Sequence, residues 1–570
     1  MMNKLSMTIE SVMKDKYNQL FLLILVLGTI LRYYGIFNAE NTDEYNEVME
    51  ALRVASGSLN YERWMKKGYQ NLLAVEYGVF FVVGYLANLF QNPMDFAEKI
   101  VQDMEPLFLI GRYTTATLGI LSILLLYVIG SKLYGKRVGL IASLFLSVTS
   151  VHVWTSHLVN TDVPLTFFFL LTIYFIIRFH ESGKISDYII AAFIGAYTIN
   201  IKLTGVGVGL IFIMAHIYRC IEQKREYKDY IFCKEIYYSS IAFLIGLFVT
   251  NPPLLLGFNK FITYNYEIYT NVHHKVPYAQ GDTAYFTYLV LMYREFGLPL
   301  FTLLAAGVLY SIFKREKWDY IFILFLIGIY LVLGGTNFLV QNRYLMTLLP
   351  ILYLLGSRLI DDVLDKYKYL IKFQNIVAVI LCLMLVSYPA RNTYSYVLSL
   401  TEDNTSKISK AWIESNIPSG SKILMDAGKT LITSGPRLNQ SREKIKERIK
   451  ILKNLKEGET FDSPMVKIVD SYSSIYFELL LKTTPRVMYD ITSTVLGENV
   501  ESPAFYKNNG FNYFIYNQEL EFRYKDPLWR KMHPKSAKFY DAINSEFVLI
   551  KEFGPSRTRS GPIIKIYKIQ

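Results

Sequence analysis

Long apolar runs recur along the first two thirds of the chain, separated by short polar turns. The run from Asn18 to Phe37 holds about 20 residues, the length a helix needs to cross a bilayer. Comparable runs cover about 107–130, 138–153 and 373–390, and they flank the polar stretches at Pro164, Asn200, 219–234, Lys314-Arg315-Glu316-Lys317 and Gln341-Asn342-Arg343-Tyr344. The pattern predicts a polytopic α-helical membrane protein with about 11 transmembrane helices in residues 1–390. Two longer stretches interrupt it, 38–107 and 257–296. In the first, Tyr45, Val48, Met49 and Leu52 fall at helical spacing before Gly57, as in an amphipathic helix lying on a membrane surface. A second such helix is expected over Val75–Leu89, where Glu76 and Gly78 argue against a full span. From about 391 to 570 helix-like stretches alternate with strand-like ones: Lys422–Met425, Val487–Tyr489, Tyr513–Tyr516, Phe547–Lys551 and Ile563–Ile569. A C-terminal α/β domain is predicted there.

Charge orients the runs. Six alternate segments hold 20 Lys and Arg, whereas the short turns between them at 154–163, 199–203 and 335–343 hold none, one and one. By the positive-inside rule the basic segments are cytoplasmic, the N-terminus is inside, and loops 38–107 and 257–296 and the C-terminal domain are extracytoplasmic. Lys4, Lys14 and Lys16 before the first run, with no small-residue cleavage signal, predict a retained span at the cell membrane. With 52% hydrophobic residues the chain is unlike a soluble protein, and the net charge of +12 reflects these loops, since no nucleic-acid motif occurs. The three cysteines, Cys220, Cys233 and Cys382, offer no disulfide framework for the outer parts.

Candidate chemistry gathers at the outer ends of the spans. Asp43 and Glu44 follow the first run, in Asn41-Thr42-Asp43-Glu44-Tyr45. Asp162 lies in the outer turn that also holds His157, and Lys202 interrupts an apolar stretch, where a cation is costly without a partner. Arg112 sits near the mouth of the second span, Arg294-Glu295 and the pair His273-His274 lie in the second outer loop, and Arg343 opens a later span. Bland readings stand beside these: helix capping for Asp43 and for Asp162-Val163-Pro164, and snorkelling to head groups for Lys202. The adjacent histidines point apart in most conformations and make a weak metal pair.

The order of Asp43-Glu44, Arg112, Gly135-Lys136-Arg137-Val138-Gly139, His152 to Pro164, Lys202-Leu203-Thr204-Gly205, and Arg343-Tyr344 with Pro350 resembles the polytopic glycosyltransferases of the C superfamily. The branch concerned contains the dolichyl-phosphate-mannose protein O-mannosyltransferases and the bacterial lipid A aminoarabinose transferase. The tail, from Trp412-Ile413 through Asn416 to Gly420 and on to Gly561-Pro562-Ile563, is similar to outer domains of prokaryotic members. That resemblance implies an inverting transfer of a sugar from a polyprenyl-phosphate donor to an acceptor hydroxyl on a protein, a lipid or a cell-envelope glycan. Asp43 is then the first choice of general base, with Glu44 and Asp162 as the other carboxylates. Lys202, Arg294 and Arg343 are candidates for the donor phosphate, with Arg112, His157, His273 and His274 in support. No cofactor is required, although related oligosaccharyltransferases bind a divalent ion that Asp43 with Asp162 can hold. A transporter or lipid flippase is the alternative; it calls for ionisable residues near the midplane and internal repeats, neither of which the sequence has. A non-catalytic scaffold leaves the ring of outer charges without a purpose.

Overall fold

The computed structural model describes residues 15–569 apart from 41, 56–66, 253, 255–257, 268–283, 336–339, 368–372, 428–434, 455–473, 483–486, 496, 498–499, 521–524 and 526. Contacts divide the chain into two compact units, one of residues 1–34, 63–72 and 112–396 and one of 35–62, 73–111 and 397–570. Its character is mostly helical. Among the described residues seven helices are long and apolar enough to cross a membrane, or eight if one bent pair counts as a span. The sequence pattern called for about eleven, and the difference has a local cause in each case. Helix Lys16–Tyr33 opens on Lys16, Asn18 and Gln19 and ends on Arg32. Helix Ile185–Ile201 is 17 residues long, and Leu349–Lys366 carries Arg358, Asp361, Asp362 and Asp365.

In the first unit the helices pack through small residues. A Cβ placed on Gly307 would lie 2.7 Å from the Gly356 Cα, so these two helices approach at backbone contact. The run expected as a single span over 138–153 is broken into Lys136–Ser147 and Ser150–Ser156, bent by 62°. Neither proline nor glycine marks the break. Its cause lies elsewhere in the chain: the fully buried Arg32 guanidinium donates to the carbonyls of Gly28 (3.0 Å), Ser147 (3.1 Å) and Leu146 (3.2 Å), capping the helix end at the bend. Its remaining Nη2 contact is Nδ1 of His152 at 2.9 Å.

The second unit contains a five-stranded sheet: β1 (Lys422–Ala427), β2 (Asp490–Val495), β3 (Tyr513–Asn517), β4 (Phe547–Phe553) and β5 (Ile564–Ile569). The strand order is β2-β1-β3-β5-β4, with β1 parallel to both neighbours and β5 antiparallel to β3 and β4. Alternation puts Leu424 and Phe514 into one apolar cluster with Phe539, Phe547 and Tyr567, and Ile423, Met425 and Ile515 into another with Ile413, Ile491 and Ile566. Both faces are therefore covered. The strand expected at Val487–Tyr489 lies three residues further on, at Asp490–Val495.

Candidate active site

Three of the charged residues singled out in the sequence meet in the first unit. Helix Asp162–Ser182 begins at Asp162, whose backbone N–H donates to Asn160 Oδ1 at 2.7 Å. Thr161 is the N-cap of this helix, without a side-chain cap bond, and the Asp162 carboxylate is used across the fold instead of as the cap that the sequence offered. Its Oδ1 accepts from Lys202 Nζ at 2.5 Å, and its Oδ2 lies 3.8 Å from Arg343 Nε. Lys202 is the C-cap of helix Ile185–Ile201, in extended backbone. The chain turns sharply after it, and a Cβ on Gly205 would sit 2.7 Å from the Thr198 carbonyl oxygen, so only glycine lets the turn fold back. Arg343 is on the 3-10 turn Asn342–Leu345. The Tyr344 ring faces both cations, with Lys202 Nζ 4.6 Å and the Arg343 guanidinium 5.9 Å from its centre.

The arrangement has one carboxylate and two cations within ion-pair distance at a nearly buried place: the Asp162 side chain is 3% exposed and those of Lys202 and Arg343 are 15% each. Snorkelling to head groups is not what Lys202 does here. A cation pair organised by one carboxylate suits an anion with several oxygens, such as a phosphate. It suits a divalent cation poorly, because the carboxylate already faces two positive groups. Among the described residues no group of three or more His, Cys, Asp or Glu is placed to hold a metal ion.

Arg294 does not join this cluster. It is exposed on helix Tyr285–Lys314, and its neighbour Glu295 is the buried one. Glu295 accepts from Ser150 Oγ at 2.8 Å and Val151 N at 2.7 Å, at the start of the short helix Ser150–Ser156. Consecutive helical residues point about 100° apart, so one of the pair had to turn away. Arg112 is buried, 2% exposed. His157 is also buried, with Nδ1 2.9 Å from the Val153 carbonyl, Nε2 3.1 Å from the Tyr34 carbonyl, and its ring edge-on to Tyr396. Both ring nitrogens lie against backbone carbonyls, to one of which a neutral imidazole can donate, and His157 thereby joins the Tyr34 and Val153 segments. His273 and His274 lie outside the described residues.

Arg32 and His152 were not among the candidates. A cation within an apolar run is the signal that could have found Arg32, as it found Lys202. No carboxylate lies within ion-pair distance of Arg32 among the described residues, and its acceptors are backbone carbonyls and an imidazole.

The carboxylate pair belongs to the second unit. Helix Thr42–Ala55 carries Asp43 and Glu44 in its first turn, where negative charge complements the helix dipole. Glu44 is fully buried and Asp43 is half-buried. Glu47 and Glu50 follow on the buried face, Glu50 with Arg53 at 3.3 Å, and Tyr45 packs near Phe108 with ring centres 6.4 Å apart. Asp43 thus has the accessibility a proton acceptor needs, and Glu44 does not.

Residues 108–255 match the family described as dolichyl-phosphate-mannose-protein mannosyltransferase. No curated protein sequence matches the chain. Among solved structures, the chain is similar to the oligosaccharyltransferase AglB of Archaeoglobus fulgidus in complex with an inhibitory peptide and a dolichol-phosphate. Identity is 11%, covering 96% of this chain and 74% of that one, with a TM-score of 0.52. A complex of an Archaeoglobus fulgidus oligosaccharyltransferase with Zn and sulfate gives 13% identity, coverage of 95% and 72%, and a TM-score of 0.51. ArnT from Cupriavidus metallidurans bound to undecaprenyl phosphate gives 12% identity, coverage of 96% and 97%, and a TM-score of 0.43.

Proposed function

We propose that this chain is a polytopic glycosyltransferase of the GT-C superfamily, as the family match over residues 108–255 supports, and that it transfers a sugar from a polyprenyl-phosphate donor to an acceptor hydroxyl at the outer face of the cell membrane, with inversion at the anomeric carbon. The observation that carries the proposal is the Asp162–Lys202–Arg343 cluster, in which two cations are held beside one carboxylate. Lys202 and Arg343 take the phosphate oxygens, on which charge grows as the glycosidic C–O bond breaks. Asp162 keeps the two cations together until the phosphate arrives.

Asp43 is the general base. It removes the acceptor hydroxyl proton as the acceptor oxygen bonds to the anomeric carbon and the lipid phosphate leaves, a contribution of roughly 10²- to 10⁴-fold. Glu44, buried beside it, positions the helix turn that presents Asp43. No step runs through a metal ion in this reading. The acceptor is a protein, a lipid or an envelope glycan, and residues 391–570 form an extracytoplasmic domain.

Two measurements on detergent-purified protein test this. Lys202→Met and Arg343→Met should each weaken binding of polyprenyl phosphate by on the order of tenfold, the loss of one charge-assisted contact. Asp43→Asn should lower turnover by about two orders of magnitude with donor affinity little changed. Unchanged lipid-phosphate binding in both cation variants would remove the phosphate site. Full turnover in Asp43→Asn would move the base to Asp162 or Glu44.

A further inference from the structure

Within the second unit, residues 35–40 make several polar contacts with the C-terminal domain. Gly35 takes φ +71°, and a Cβ there would sit 2.5 Å from the Leu400 Cβ, so the chain lies flush against that residue. Asn38 Nδ2 donates to the Leu400 carbonyl at 3.0 Å, and Lys407 Nζ donates to the Phe37 carbonyl at 2.8 Å. The two carboxylate oxygens of Glu40 are then taken by different partners. Oε1 faces Arg437 Nη2 at 3.1 Å, and Oε2 accepts from Asn404 Nδ2 at 3.0 Å. Asn404 is fixed in turn, since its Oδ1 caps helix Thr405–Asn416 by accepting from Lys407 N at 2.9 Å. Its amide can present only Nδ2 to Glu40. Arg437 is fixed too, with its guanidinium 4.8 Å over the Phe108 ring.

Glu40 precedes Asp43 by three residues, roughly 10 Å of extended chain at most. A domain that only needed an anchor would be served by contacts anywhere on its surface; this one grips the segment that leads into the carboxylate pair. We infer that Glu40, Asn404 and Arg437 form a clasp through which the C-terminal domain positions the Asp43 turn, so that the domain acts as a positioning element for the transfer step. This inference rests on Asp43 being the base.

The test uses the full-length protein in detergent, with hydrogen exchange followed on a peptide covering 42–55 and sugar transfer measured in parallel. Arg437→Ala should speed exchange of that peptide by on the order of tenfold and lower kcat by a similar factor, with KM for the donor unchanged. Gly35→Ala leaves every charge in place and should give the same signature, because it lifts the segment from Leu400. The exchanged pair Glu40→Arg with Arg437→Glu should recover part of both. Unchanged exchange of 42–55 in both Arg437→Ala and Gly35→Ala would overturn the clasp, as would faster exchange with undiminished kcat. If the unaltered protein transfers no sugar from polyprenyl-phosphate donors, the functional reading fails while the exchange results still decide whether the clasp exists.

Discussion

Replacing Asp162 by asparagine keeps the shape of the side chain and removes the charge that holds Lys202 and Arg343 together. At 2.5 Å and an effective dielectric constant of about 20, the Asp162–Lys202 attraction alone is about 7 kcal/mol before desolvation is subtracted. Truncating one partner of a buried pair leaves an uncompensated charge and costs about 3–5 kcal/mol, and with both side chains largely out of water that range applies here. Asp162→Asn, which takes the carboxylate from both cations, should therefore destabilise the protein substantially, and Lys202→Met less, because Arg343 still faces Asp162. The double variant should lose less than the sum of the two, with a coupling of about 2–3 kcal/mol, because it removes both charges at once. Graded unfolding in mixed micelles, followed by intrinsic fluorescence, gives the four free energies of the cycle. Lipid phosphate adds a second axis: it should raise the melting temperature of Asp162→Asn at least as much as that of the unaltered protein, since the variant keeps both cations. Additive losses in the double variant would show that the pair is not coupled, and the account of Asp162 as a charge balancer would be wrong.

Other outcomes follow from the same contacts. Arg32→Met strips the carbonyls of Leu146 and Ser147 of their donor at the bend, and at about 1–3 kcal/mol for each orphaned acceptor it should be among the most destabilising single changes in the helical unit; a melting temperature within a degree of the unaltered protein would refute the capping role. Tyr489, whose hydroxyl donates to the carbonyls of Ile413 (3.1 Å) and Ile417 (3.3 Å), has its pKa pushed up by burial to about 12. A raised folded-state value means that its contribution is complete below about pH 10 and is lost as pH rises to about 12, so the stability deficit of Tyr489→Phe should be constant at neutral pH and shrink over pH 10–12. Protease added to right-side-out vesicles should trim residues 391–570 without lysis; protection of that domain would invert the proposed topology.

What could be read without coordinates depended on how local the signal was. The strands of the C-terminal sheet stand out as short runs of β-branched and aromatic residues, and four of the five begin within a residue of where the pattern put them. The exception, Asp490–Val495, is rich in threonine, and its Thr494 hydroxyl is used on the buried Asp426 at 3.1 Å, a contact that no periodicity announces. Lys202 was legible because a cation in an apolar stretch demands a partner; that its partner is Asp162, 40 residues earlier, was not, and local statistics favoured capping instead. Choosing Arg294 over Glu295 was a choice between neighbours that point about 100° apart on a helix, which only packing settles. The bend at 148–149 was invisible for the same reason, since its cause is Arg32, more than a hundred residues away.

That separation has a consequence for how the protein is made. Arg32 belongs to an apolar helix synthesised well before the bent pair, since the Leu146 and Ser147 carbonyls it caps are 114 and 115 residues downstream. At a synthesis rate of about 5–20 residues per second, roughly 6–23 s pass before they exist. During that interval the helix carries an ordinary arginine at the end of an apolar segment, tolerable on its own but unsatisfied. Emergence of the bent pair ends the wait, so the first and third apolar segments are committed to each other during translation, and a substitution at Arg32 should be felt by the insertion machinery before any folded unit exists.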